Sequence, residues 1–111
     1  MLKNIHKFLL ISLMFCSFSA SAMAAEEFTI VIKDHKFSPE TTTIPADQKV
    51  KLIIDNQDST PEEFESYELN REKIIGGGKK GIVFVGPLKP GTYPFFGEFN
   101  MDTAKGQIIA K

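Results

Sequence analysis

Two acidic stretches bring together side chains that could bind a cation: Glu62-Glu63-Phe64-Glu65 and Glu98-Phe99-Asn100-Met101-Asp102. Carboxylates with an amide oxygen make a hard donor set, suited to iron, manganese or calcium. Glu62 and Glu98 are the first candidates for such a site, with Glu63, Asn100 and Asp102 behind them. His35, in Asp34-His35-Lys36-Phe37, adds an imidazole, which would favour iron, copper or zinc over calcium. The competing reading is an acidic loop facing water, with His35 a surface or hydrogen-bonded residue. Sequence alone leaves both open.

Other chemistries find little support. There is no spare Ser-His-Asp inventory, and an acid–base pair made of Glu62 and Glu98 would need a concave substrate site that so small a chain rarely has room for. The expectation is that the chain is not an enzyme. Gly76-Gly77-Gly78-Lys79-Lys80-Gly81 lacks the strand-loop-helix setting and the Lys-Ser/Thr of a phosphate cradle, so it reads as a hairpin loop.

The first part of the chain reads as an export signal. Lys3 and Lys7 precede the apolar run Phe8-Leu9-Leu10-Ile11-Ser12-Leu13-Met14-Phe15, and Ala22-Met23-Ala24 closes it with small residues. This is the three-part pattern of a secretory leader cleaved after Ala24, giving residues 1–24 as signal peptide and 25–111 as one domain. The apolar run is too short and interrupted to span a bilayer comfortably. Cys16 follows Phe15 rather than a small residue, which speaks against lipid attachment, and it leaves with the leader. The mature chain then has no cysteine, hence no disulfide and no thiol chemistry.

Removing 24 of the 111 residues leaves 87, within the range of domains that fold alone. Loss of Lys3 and Lys7 takes the formal net charge from −1 to −3. A mildly acidic surface excludes the basic face a nucleic-acid partner needs, and there is no polybasic patch for anionic lipid. The expected product is a soluble, periplasmic monomer with no direct membrane insertion after cleavage.

The elements that must position the candidates are short strands. Phe28, Ile30 and Ile32 alternate with Thr29, Val31 and Lys33, and Val50, Leu52 and Ile54 alternate with Lys51 and Ile53. Further β segments are expected at 41–44, 65–69, 72–75, 82–85, 92–96 and 107–110, separated by Gly, Pro and Asn turns. The stretch 62–73 comes nearest to a helical turn. Phe95 and Phe96, as neighbours on a strand, must face opposite ways. The fold class is all-β, an antiparallel sandwich or barrel.

Phe37-x-Pro39, Ile44-Pro45-Ala46, Asn56-x-Asp58 with Pro61, Gly86-Pro87-Leu88-Lys89-Pro90-Gly91-Thr92-Tyr93, Gly97-Glu98-Phe99 and Thr103-Ala104-x-Gly106 together resemble exported cupredoxin-like domains. The resemblance covers nearly all of residues 26–111. It is nearest to the variety found with exported components of bacterial iron-uptake systems. It implies an eight-strand Greek-key β-sandwich with its metal loops at one end. It also implies that Glu62, Gly97, Asn100 and the region of Ala104 and Lys105 stand where copper-binding members carry His, Cys, His and Met. In that fold Glu62 would point to the same end as Glu98 and Asn100, with His35 nearby. A type 1 copper centre needs a thiolate and two imidazoles, so none is expected.

The resulting expectation is a periplasmic metal-binding accessory protein that handles iron or copper at a membrane metal transporter or its exported components. The alternative is a metal-free protein-interaction module that uses its Phe-containing end as a docking surface.

Overall fold

The computed structural model describes residues 24–111; the leader expected over 1–24 falls outside them except for Ala24. The described chain forms β1 (Glu26–Lys33), β2 (Lys36–Ser38), β3 (Thr41–Ile44), β4 (Val50–Asn56), β5 (Glu62–Ser66), β6 (Arg71–Ile75), β7 (Lys80–Val85), β8 (Gly91–Gly97) and β9 (Lys105–Ala110). A 3-10 turn at Glu98–Asn100 joins the last two. One sheet runs β2-β1-β4-β7 and the other β3-β9-β8-β5-β6. The β1/β4 and β3/β9 pairs are parallel and the others antiparallel. This is the all-β Greek-key sandwich that the resemblance implied, with two parallel pairs where the strand pattern alone led to an antiparallel arrangement. The short β2, a hairpin return from β1, is one strand more than expected.

Alternation builds the core. Ile30 and Ile32 of β1, Leu52 and Ile54 of β4, and Val83 and Val85 of β7 turn inward from the first sheet. They meet Ile44, Phe64, Ile75, Phe95 and Ile108 of the second, all buried. Phe37, Phe64 and Phe95 pack together, with centroids 4.9 Å apart for Phe37–Phe95 and 4.8 Å for Phe64–Phe95. The Phe37–Phe95 pair is edge-to-face, an arrangement that aromatic quadrupoles favour. Phe95 is buried while Phe96 lies on the outer face and packs its ring on Tyr67, so the neighbours do divide between the two faces.

Two polar devices fix the end of the sandwich from which the candidate loops emerge. Asn56 is fully buried, and its Nδ2 donates to the carbonyls of Thr60, Ile75 and Gly76 at 2.9, 3.1 and 3.2 Å. Its Oδ1 accepts from the Asp58 N–H at 3.0 Å. Asp58 in turn accepts from the N–H groups of Asp34 and His35 at 2.8 and 3.0 Å. Those two residues have φ of 54° and 60°, the left-handed pair that a tight β1–β2 hairpin requires. Burial alone would raise the Asp58 carboxyl, but the His35 and Asp34 donors and the charges of His35 and Lys33 hold it below its ordinary range.

The strand expected at 65–69 instead begins at Glu62 and ends at Ser66. No helical turn forms between 62 and 73; the 3-10 turn lies at 98–100. This shift changes the role of every glutamate in the first acidic stretch.

Candidate metal centre

Because β5 starts at Glu62, its side chains alternate from there. Glu62, Phe64 and Ser66 face the interior, and Glu63 and Glu65 face the outer side of the sheet. Glu62 is therefore a core residue, 1% exposed. A buried carboxylate needs donors, and it has three. Its Oε1 accepts from the backbone N–H of Glu63 at 2.9 Å and of Phe99 at 2.8 Å, and its Oε2 accepts from Asn100 Nδ2 at 2.7 Å.

The positions likened to copper-ligand positions do come together, and they close on one another. A Cβ placed on Gly97 would lie 2.6 Å from Glu62 Cδ and 2.7 Å from Ala104 Cβ, so Glu62 occupies the space a larger residue at 97 would need. Gly97 N–H donates to the Ala104 carbonyl and Ala104 N–H to the Asn100 carbonyl, both at 2.9 Å. The donor set has no thiolate and no imidazole at this point, and its one carboxylate is already satisfied. These residues do not fit a type 1 copper centre.

The outer face of the same strand is different. Glu65 pairs across the hairpin with Glu72 of β6, and across β8 with Phe96; Glu63 pairs with Ile74. One carboxylate oxygen from each of Glu63, Glu65 and Glu72 lies within 4.8 Å of the other two. Among the described residues this is the one group of three or more His, Cys, Asp or Glu so disposed. Glu98, two residues beyond Phe96, lies near enough to Glu63 and Glu65 to raise both of their carboxyls.

The electrostatics follow from placing acceptors together with no donor. Glu65 is 7% exposed, and its buried Oε2 has no hydrogen-bond partner. Burial, then contact with Glu72 and Glu98, pushes its carboxyl up to about 7. Burial and the neighbouring Glu98 and Glu72 raise Glu63 as well. A cluster of this kind can be relieved by protons or by a cation.

The expected site residues thus divide among three environments. Glu62 and Asn100 are bonded to each other in the closed end, not aimed at a shared cation. Glu63 and Glu98 belong to the outer carboxylate group. His35 and Asp102 line a shallow depression together with Glu98, Asn100 and Met101, so four of the six expected residues meet there. His35 is held there through its backbone, its carbonyl accepting from Thr103 Oγ1 at 2.7 Å. Glu62 and Glu98, expected to converge, share no carboxylate cluster: Glu62 is buried at the start of β5 and Glu98 is exposed on the 3-10 turn. Sequence reasoning missed Glu72, and it placed Glu65 in the acidic stretch without ranking it among the ligands. The signal was present in the period-two spacing of Glu63 and Glu65, but it needed the correct start of β5 and the hairpin register that brings Glu72 opposite.

The sequence model of the cupredoxin-like domain family matches residues 7–110. An uncharacterised protein of Rickettsia prowazekii is 51% identical over 83 residues, covering 75% of this chain and 66% of that protein's length, a little under two thirds. Among solved structures, auracyanin A, a blue copper protein of Chloroflexus aurantiacus, shares 11% identity over 79% of this chain and 100% of that one, with a TM-score of 0.68. Amicyanin of Paracoccus versutus shares 14% identity over 80% and 85%, with a TM-score of 0.62. The metal-binding domain of the Cu(I)-exporting P-type ATPase of Streptococcus pneumoniae shares 15% over 83% and 92%, with a TM-score of 0.67. At these identities the structural likenesses speak for the fold alone.

Proposed function

This chain belongs to the cupredoxin-like domain family, and we propose that it is an exported, periplasmic metal-binding accessory protein. In this reading its cation sits on the outer sheet face and not at the closed end. Glu63, Glu65 and Glu72 are the ligands, with Glu98 beside them. The observation that carries it is the buried Glu65 Oε2, which has no hydrogen-bond partner and lies beside the carboxylates of Glu63 and Glu72. Oxygen-only ligands favour iron, manganese or calcium over copper, so iron is the metal that fits both the donors and the resemblance. Handling of that metal near a membrane transporter is part of the same proposal. Among the described residues no helix is long and apolar enough to cross a membrane.

The test is calorimetric titration of the metal-stripped protein with Fe(II), Mn(II), Ca(II) and Cu(II), repeated on a Glu65→Gln, Glu72→Gln double variant. The expected result is one saturable site for a hard cation, lost in the double variant. Absence of saturable binding to all four ions overturns the reading.

The second reading, a metal-free docking module, draws on the exposed Phe99 and Met101 beside the depression containing His35. It leads if the titrations are flat.

A further inference from the structure

The outer face of the four-stranded sheet carries a charge opposite in sign to that of the whole chain, which is net negative. Its rows follow from the strand register. Glu27, Lys51 and Phe84 lie side by side across β1, β4 and β7. Thr29, Ile53 and Ile82 form the next row, and Val31, Asp55 and Lys80 the third. Lys33 and Lys36 stand opposite each other at the β1–β2 hairpin. Lys49, just before β4, holds its Nζ 4.7 Å from the centre of the Phe84 ring, a cation–π contact. The face therefore gathers five lysines against two acids, Glu27 and Asp55, with Lys51 and Glu27 paired at 3.4 Å.

Its middle is apolar. Ile82 and Phe84 are 46% and 44% exposed, and Val31 and Ile53 beside them are half-buried. The other sheet packs on the inner side, so among the described residues this face is left open. The chain also enters the domain here: Ala24, Ala25 and Glu26 share a hollow with Gln48, Lys49 and Phe84.

Sign and residue type decide what such a face fits. A second copy presenting the same face would set lysine against lysine, which is repulsive. A second copy offering its carboxylate face would dock head to tail and seal off the cation site proposed above. Protein interfaces are depleted in lysine and enriched in arginine, whereas every cation on this face is a lysine. Flexible ammonium groups around an apolar patch suit a planar field of anions. Their stems lie along the apolar surface and their heads reach the phosphates.

We infer that the outer face of the β2-β1-β4-β7 sheet docks the domain on an anionic phospholipid surface, with Ile82 and Phe84 among the headgroups and the lysines on phosphates. The contact is peripheral, and no segment crosses the bilayer. The opposite sheet, which carries Glu63, Glu65 and Glu72, then faces away from the lipid and stays open to solutes. The inference stands on the lysine face and not on the metal site. Sequence reading excluded a polybasic patch because no single run holds one. These lysines come from β1, β2, β4, β7 and the residue before β4, and only the register brings them together.

Residues 25–111 contain all nine strands and are the species to test. The assay is cosedimentation with phosphatidylglycerol or phosphatidylcholine vesicles at low and high salt. Binding is expected to phosphatidylglycerol alone and should weaken as salt rises. Each lysine near an anionic surface contributes about fivefold in partitioning, so Lys33→Gln with Lys80→Gln should lower binding about twenty-fivefold. Lys105→Gln with Lys111→Gln makes the same change in net charge at the other sheet and should alter binding by less than about twofold. Phe84→Ser should lower binding about fivefold with charge unchanged, and Ile82→Ser serves if that variant does not fold. Circular dichroism melting checks the fold of each variant. Equal binding to the two lipids overturns the inference, as does equal loss in the two lysine pairs. Failure to bind phosphatidylglycerol overturns it in favour of an acidic protein surface as the partner.

Discussion

Replacing Glu62 by Ala should destabilise the domain without touching the outer carboxylates. Three donors lose their acceptor: the N–H groups of Glu63 and Phe99 and the Asn100 amide, now at 2.7–2.9 Å. Hydrogen bonds to a charged group contribute about 1.5–3 kcal/mol each. The donors belong to residues that are half-buried or, for Phe99, 49% exposed, so water can enter and satisfy part of what is lost. At the lower end of the range three such bonds total about 4.5 kcal/mol, and water recovers part of that, so the expected loss is roughly 3 kcal/mol, a large share of the about 5–15 kcal/mol of a typical domain. With a slope near 1 kcal/mol/M for so small a protein, the urea midpoint should fall by about 3 M. Glu62→Gln keeps the size and one acceptor. Its new amide would face the Asn100 amide, which an Asn100 flip resolves, so the expected cost is about 1 kcal/mol. Equilibrium urea unfolding followed by circular dichroism reads both. A Glu62→Ala variant within about 0.5 kcal/mol of wild type would refute the reasoning, because the carboxylate would then not be holding the turn after β8.

Three further outcomes follow from the same geometry. Gly97→Ala should cost about 1–3 kcal/mol through its clash with Glu62 and Ala104, and less in a Glu62→Ala background, since one of its two obstacles is gone; a double-mutant cycle by urea unfolding that shows strict additivity would count against this. Asn56→Asp removes the donor that serves the carbonyls of Thr60, Ile75 and Gly76 and sets a carboxylate against them, so a loss of about 3 kcal/mol or more is expected in the same assay. For the metal-free protein, the raised Glu65 means that the native state binds this proton more tightly than the unfolded chain. Its stabilising effect is complete below the ordinary value of 4.5 and is lost as pH rises through about 7. Melting temperature in chelator should therefore fall between pH 5 and 8, and Glu65→Gln should flatten that fall; an equal fall in the variant would assign it to other groups.

The strands built on clean alternation were legible from sequence, as β1 and β4 show, because Ile30 with Ile32 and Leu52 with Ile54 face a common core. The same rule separated Phe95 from Phe96. It failed at β5, where the first inward residue is Glu62 and a charged side chain in a core position reads as loop. The candidate site inherited that error. Its residues were taken from two loops at one end, whereas the carboxylates that meet come from adjacent strands. Glu72 in particular joins through the register Glu65↔Glu72, which no local pattern announces.

The two halves of the acidic stretch serve one another through the pleat. A strand that places Phe64 in the core must place Glu63 and Glu65 outside, and it must also bury Glu62. Buried there, Glu62 has to find donors, and the nearest are the N–H of Phe99 and the amide of Asn100. Binding them fixes the 3-10 turn that begins at Glu98, and so sets where Glu98 meets Glu63 and Glu65. The interior carboxylate is thus a positioning residue for the exterior ones. That explains how the cupredoxin-like scaffold gathers carboxylates on its sheet face, along the same strand that buries Glu62.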